Sequence, residues 1–264
     1  TSYKIVSIDN YTSGTKLNHI RSSRVKYIKG NTANISKFVK NPNKIKTIFH
    51  FGEFARIYQS FLKMDQCIES NSIGTNAVFN FCLKHKVKLI YSATSASLGN
   101  KGNDRNLSPY AFTKAKNLEL LENLKKWFNF KYEVIYFYNV YGPHQICRGQ
   151  MSTVIGIFED HYKKKEPLPV VLPGTQTRRF THISDTVEIC YLAWKKNLCR
   201  HYSIASKKSY SVLEVAKIFK SKIKFLPRRQ GERYASALTK INLSNKIYKH
   251  FGKIKLKDYI HNLI

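Results

Sequence analysis

The sequence predicts an α/β fold, an open parallel sheet with helices on both faces, followed by a smaller α+β lobe. Three observations carry that expectation. Short β-type runs alternate with helix-type runs through residues 1–150, the pattern of consecutive βαβ units. Past about residue 151 the character changes, and a Pro-rich connector, Glu166-Pro167-Leu168-Pro169, appears. At 264 residues and 42% hydrophobic composition, the chain is also long and apolar enough to bury such a core. Two units are expected, residues 1–150 and 151–264, with some chain crossing between them.

Taken in order, Tyr3–Ile8 reads as a strand ending in Asp9-Asn10, with a turn through Ser13-Gly14. Val25–Ile28 is a second strand closed by Gly30-Asn31, and Thr47–Phe51 a third. Lys88–Ser92 and Val134–Tyr138 are the fourth and fifth. Apolar residues at three- and four-residue spacing predict helices over roughly 60–84 and 110–128. The second unit reads as helices near 151–165 and 184–196, a strand at 202–205, and a helix from Ser211 to about Lys220. In open parallel sheets ligands bind past the carboxyl ends of the strands, so chemistry is sought there.

Composition narrows the function classes. No apolar run reaches 18 residues, and the opening Thr1-Ser2-Tyr3-Lys4-Ile5 lacks a leader's layout, so neither a membrane span nor a signal peptide is expected. The five cysteines, 67, 82, 147, 190 and 199, are scattered and odd in number. They fit reduced thiols in a cytoplasm, not a disulfide framework or a metal site. The net charge is +30, with 35 Lys against 11 Arg spread along the whole chain. That reads as a Lys-coated surface, with Lys163-Lys164-Lys165 a solvated helix end, and not as a nucleic-acid footprint. Such a surface attracts small anions, phosphates included.

The strongest local signal is Ser108-Pro109-Tyr110-Ala111-Phe112-Thr113-Lys114. On a helix, Tyr110 and Lys114 stand at i and i+4 and share a face. An ammonium near a phenol favours the phenolate, making tyrosine a usable base near neutral pH. The spacing alone is common and also fits an amphipathic helix with an exposed lysine. Company makes it specific. Ser92-Ala93-Thr94-Ser95-Ala96-Ser97 places hydroxyls at a strand's carboxyl end, and Asn71-Ser72-Ile73-Gly74 lies upstream. Downstream come Tyr138-Asn139-Val140-Tyr141-Gly142-Pro143, then Gln176-Thr177-Arg178-Arg179-Phe180, then Arg228-Arg229-Gln230-Gly231-Glu232.

In this order the motifs resemble the extended short-chain dehydrogenase/reductase family, in particular its NAD-dependent nucleotide-sugar epimerase/dehydratase branch, the UDP-glucose 4-epimerase-like enzymes. The resemblance runs from Tyr3 to about Lys246. It implies a Rossmann-like sheet in residues 1–150, NAD as cofactor, and a nucleotide-sugar lobe in 151–264. Asp9 matches the acidic residue receiving the adenosine ribose hydroxyls, with a turn aspartate as the plainer reading, and Asn10 shares that rim. Asn31 stands near the adenine, where the family usually has Asp. Phe51 and Gly52 match a close approach of cofactor to backbone. Asn71 matches a cofactor-contacting Asn, with a helix N-cap as its rival. Ser92 lines the nicotinamide side, and Thr94 matches the hydroxyl that orients the reacting sugar hydroxyl. Tyr110 is the implied base, while Lys114 keeps it acidic and holds the nicotinamide ribose. Asn139 and Val140 match the stretch touching substrate phosphates and nicotinamide. Arg178 and Arg229 match the cations on the nucleotide diphosphate, and Glu232 a carboxylate near its ribose.

The departures are informative. The loop from Gly99 to Tyr110 is short, and Arg179 replaces the family's Asp. Glu53 and Arg56 stand where the family has small residues and read as a local ion pair without a role. Dehydratases of the family carry Asp-Glu after the Thr, whereas Ser95 and Ala96 cannot titrate. The expected reaction is therefore 4-epimerisation of a UDP-hexose through transient oxidation at C4. The alternatives are another dehydratase or reductase of the family, or a noncatalytic basic, nucleic-acid-binding protein. A homodimer is expected through the helices bearing Phe61, Phe79, Phe81, Leu118, Leu121 and Leu124, faces that could equally pack on the sheet.

A dinucleotide fold also calls for a Gly-rich turn between its first strand and helix, where the pyrophosphate meets the helix N-terminus. None of the twelve glycines has that spacing. The strand ending at Asp9 then reads as the fold's second, and a strand, turn and helix of about 25–30 residues are expected ahead of Thr1.

Overall fold

The computed structural model describes residues 3–98, 104, 106–236 and 247–264. The chain opens with β1 (Ile5–Asp9), β2 (Val25–Lys29), a helical turn α1 (Ile35–Phe38) and β3 (Thr47–His50). Helices α2 (Ile57–Leu62), α3 (Met64–Ile68) and α4 (Thr75–Lys84) lead to β4 (Lys88–Thr94). The long α5 (Pro109–Phe128) returns the chain to β5 (Tyr132–Phe137) and the short β6 (Val140–Tyr141). Next come α6 (Val154–Lys163), β7 (Leu168–Val171), β8 (Thr177–Arg178), β9 (Thr181–His182) and α7 (Ile183–Lys196). The last part holds β10 (His201–Ala205), β11 (Tyr210–Ser211), α8 (Val212–Ile218), β12 (Ile223–Leu226), β13 (Ile247–Phe251) and α9 (Leu256–His261).

The main sheet is parallel, in the order β13-β10-β5-β4-β3. Its central strands are apolar on both faces, as a sheet covered on both sides requires. Leu89, Tyr91 and Ala93 of β4, with Val134 and Tyr136 of β5, join the core beneath α4 and α5. Ile90 and Ile135, one residue out of step, face α7 in a second core with Ile189 and Ala193. That two-residue alternation is the strand period. A third core, around Phe158, Leu168, Val215 and Phe219, joins α6, α8 and α9 to the β7–β12 pair and makes the smaller lobe. Chain crossing is extensive, since β10 and β13 from the second half extend the sheet of the first. Glu133, fully buried in β5, helps fix that crossing by accepting from the Cys199 and Arg200 amides at 3.0 and 2.8 Å.

Two features interrupt the plain pattern, and the second corrects a sequence expectation. The sheet is not continuous: β1 pairs in parallel with β2 alone, from Ile5 opposite Val25 to Asp9 opposite Lys29. Among the described residues no strand bridges β1 and β3. Both sit on one core, because Ile8 and Ile48 pack against the same cluster. Yet Ile5, Val6 and Phe49 are left exposed. The helix expected over 60–84 is broken into α2, α3, a π-helical stretch Glu69–Gly74 and α4. The cause is tertiary. Lys63 leaves helical geometry, and the π turn carries Asn71, whose amide clamps both Phe54 backbone groups.

The apolar residues expected at a dimer interface are mostly core. Phe79, Phe81, Leu121 and Leu124 are buried, Leu118 packs on the same cluster, and Phe61 lies against Gly231. Among the described residues no helix is long and apolar enough to cross a membrane.

Candidate active site

A cavity of about 810 Å³ opens beyond the carboxyl ends of β4 and β5, walled on its far side by the smaller lobe. Thr94, Tyr110, Tyr141, Arg178, Phe180 and Arg229 are among its walls. Local sequence explains the placement of Tyr110. Ser108 caps α5 by accepting from the Ala111 amide at 3.1 Å, and Pro109 supplies the first helical residue without an orphan donor. Tyr110 thus falls in the first turn, at the cavity. Thr94 is the last residue of β4, and its Oγ1 accepts from the Ala96 amide at 3.2 Å. Gly142 (φ +138°) closes another wall. A Cβ there would lie 2.6 Å from Ile183, so only glycine lets β6 approach α7.

Thr94 and Tyr110 are brought together: a hydrogen bond from Thr94 favours the phenolate. Burial outweighs it and pushes the Tyr110 phenol up to about 12. Arg56 opposes this rise, and Arg233 interacts with the phenol's charge as well. Lys114 is not among the cavity walls. Its ammonium is almost fully buried and donates to Glu53 Oε2 and the Ser92 carbonyl, with Tyr91 stacked 4.7 Å away. Burial lowers the Lys114 pKa and Glu53 works against that fall. The expected Glu53–Arg56 pair does not form. Glu53 belongs to Lys114 and also accepts from Thr75, Tyr91 and Asn117 at 3.0, 3.0 and 3.2 Å.

The other sequence-derived residues divide into two groups. Asn139, Val140, Arg178, Arg229 and Glu232 line the cavity with Thr94 and Tyr110. Arg178 is buried and pairs with Glu232, while the Arg229 guanidinium lies over the Tyr58 ring at 5.3 Å. Asn139 donates to the Arg179 carbonyl at 3.0 Å, and Arg179 itself turns away to the Ser206 carbonyl at 2.7 Å. The second group lies outside the cavity. Asp9 and Asn10 cap their own turn, accepting from the Tyr11 and Thr12 amides at 2.7 and 3.0 Å. Asn31 accepts from the Ala33 amide at 3.0 Å and starts a helical turn. Asn71 is fully buried and bonded to Phe54 and Thr113, so it is neither a helix N-cap nor open to a ligand as placed. Ser92 is buried and donates to the His50 carbonyl at 3.2 Å. Phe51 is exposed against Phe137, and Gly52 beside it has only the Thr32 methyl near its Cβ position. Residues 99–103 and 105 of the short loop from Gly99 to Tyr110 lie outside the described residues.

Sequence reasoning left Arg56 without a role and passed over Arg233, yet both line the cavity. The signal for Arg233 was its place directly after Glu232 in the Arg-x-Gly-Glu run.

A parallel sheet covered on both faces, with a hydroxyl–phenol pair just past a central strand's carboxyl end, defines a Rossmann-like protein of the dehydrogenase/reductase type. The chain belongs to the NAD-dependent epimerase/dehydratase family, whose model matches residues 1–205. It is 24% identical over 285 residues to a putative UDP-glucose 4-epimerase of Methanocaldococcus jannaschii, covering 100% of this chain and 90% of that one. It is 26% identical to the dTDP-D-glucose 4,6-dehydratase of Bos taurus, over 82% of this chain and 64% of the relative. Among solved structures it is similar to the UDP-glucose 4-epimerase of Thermotoga maritima. There the TM-score is 0.78 at 21% identity, with 90% of this chain and 82% of that chain covered.

NAD is the cofactor of this family, and two places in the fold suit its riboses. The Asp9 carboxylate stands exposed at the end of β1 with one oxygen bound only to its own turn. The Lys114–Glu53 pair, beside Tyr110, offers a donor and an acceptor such as a ribose diol uses. Among the described residues no Gly-rich turn is present between them to cradle a pyrophosphate.

Proposed function

We propose that this protein is a nucleotide-sugar 4-epimerase acting on a UDP-hexose. One observation carries the reading: Thr94 and Tyr110 meet in a cavity of nucleotide-sugar size, and the residues after Thr94, Ser95 and Ala96, cannot titrate. The chemistry NAD supplies when bound is reversible hydride exchange with the sugar carbon. Asp9 and Lys114 are the groups that would hold its riboses. Thr94 orients the C4 hydroxyl toward Tyr110, which takes the hydroxyl proton and later returns it. Arg178 and Arg229 bind the diphosphate as charge-assisted forks. Dehydration needs a further acid and base at the sugar's C5 and C6, and positions 95 and 96 provide neither. The protein acts as a homodimer and takes no nucleic acid.

The test is Tyr110→Phe, assayed with UDP-glucose by analysis of the sugar released. Loss of the base lowers kcat about a hundredfold to ten-thousandfold while the thermal melt stays in place. Undiminished turnover would remove Tyr110 from the mechanism. A 4-keto-6-deoxy product from the unaltered protein would replace epimerisation by dehydration.

A further inference from the structure

Two guanidiniums in the cavity are satisfied by backbone instead of by carboxylates. Arg56 donates through Nε to the Met151 carbonyl at 2.8 Å and through Nη1 to the Ala55 carbonyl at 2.7 Å. Arg233, only 3% exposed, donates to the Ser95 carbonyl and reaches Ser95 Oγ at 3.4 Å. Its Nε has no partner among the described residues. Neither arginine forms a salt bridge there, whereas Arg178 is paired with Glu232. A charge withdrawn from water is costly unless something of opposite sign meets it. The carbonyls take up N–H groups of both guanidiniums but bring no opposite charge to them.

Both charges lie beside the reacting pair. Ser95, gripped by Arg233, directly follows Thr94, and Arg56 shares the cavity wall with Tyr110. We propose that Arg56 and Arg233 form an anion subsite next to the reacting hydroxyl, so that the preferred substrate is a nucleoside diphosphate hexuronate. The inference rests on the reading of Thr94 and Tyr110 as the groups that hold the C4 hydroxyl. In a hexopyranose, C6 is attached to C5, the neighbour of C4, which puts a C6 carboxylate beside the C4 oxygen. A guanidinium meets a carboxylate as a planar two-pronged fork. The charge inventory agrees. Among the described residues, four arginines, at 56, 178, 229 and 233, face one carboxylate, Glu232, in the cavity wall. A diphosphate leaves positive charge there unmatched, and a third anionic group on the ligand balances it.

The diphosphate is the other source of anionic oxygens, and calorimetric titration separates the two. UDP-glucuronate, UDP-glucose and UDP are each titrated into the intact protein and into the Arg56→Gln and Arg233→Gln variants. The unaltered protein is expected to bind UDP-glucuronate at least tenfold more tightly than UDP-glucose. Each variant should erase most of that preference while UDP affinity changes less than twofold. Arg233→Lys, which keeps the charge, should retain part of the preference and stands in if Arg233→Gln does not fold. Equal losses for all three ligands would assign the arginines to the diphosphate and overturn the proposal. Tight UDP-glucose binding with no preference for the uronate would overturn it too, leaving the epimerase reading intact. Failure of the unaltered protein to bind any of the three would sink both.

Discussion

Glu53, near the site, accepts from four side chains at once. Its side chain is 1% exposed and collects donors from Thr75, Tyr91, Lys114 and Asn117. Removing one partner of a buried pair leaves the other charge stranded, at a cost of about 3–5 kcal/mol. Glu53→Ala should therefore lower unfolding stability by about that amount in urea titrations. The double variant Glu53→Gln/Lys114→Met should recover much of it, because neither charge is then left alone. Strictly additive effects would mean the two do not depend on each other. Thr94 and Tyr110 were legible in the sequence because a strand end and a one-turn helical motif are local patterns. Glu53 was not, since its partners lie 22 to 64 residues away and only the fold assembles them. The same holds for the pairing of Lys114 with Glu53, 61 residues away, which the spacing of Tyr110 and Lys114 cannot report.

At the scale of elements, signals that are local and redundant translated directly. The helix expected over roughly 110–128 is α5, begun by the capping Ser108 and Pro109 and closed by Asn129 in the left-handed conformation. The helix expected over roughly 60–84 did not translate directly, because its π turn seats Asn71 against Phe54, a contact 17 residues away. The break also changes which apolar residues face outward. Leu62, Met64 and Ile73 are 62%, 54% and 58% exposed, and Phe112 on the first turns of α5 is 43% exposed. Exposed apolar side chains on adjoining elements mark an association surface. The homodimer proposed here is thus expected to use these four and not the buried phenylalanines. Sedimentation equilibrium at micromolar concentration should give twice the 30.7 kDa chain mass. Leu62→Glu with Ile73→Glu should halve it without lowering the melting temperature of the monomer. A chain that sediments as a monomer before any substitution would overturn the dimer.

At the scale of the whole molecule, the division between the β1–β2 pair and the main sheet decides how well the cofactor can be held. β1 presents Asp9 and β3 leads to the loop beside Tyr110, and both strands pack on one core. Yet each has an edge without a strand partner among the described residues. In a dinucleotide fold the pyrophosphate is bound by backbone amides at a Gly-rich turn opening a helix, and these supply much of the affinity. The described residues offer ribose contacts at two separated places and no such turn between them. We therefore expect the 264 residues by themselves to bind NAD more weakly than about 1 mM, corresponding to less than about 4 kcal/mol. Unpaired strand edges flanked by exposed Ile5, Val6 and Phe49 should also make the chain self-associate as concentration rises. Calorimetric titration with NAD checks the first expectation, and light scattering against concentration checks the second. Stoichiometric binding at micromolar NAD would mean that Asp9 and the Lys114–Glu53 pair suffice without a pyrophosphate cradle. In that case the gap between β1 and β3 would carry no cost for the cofactor.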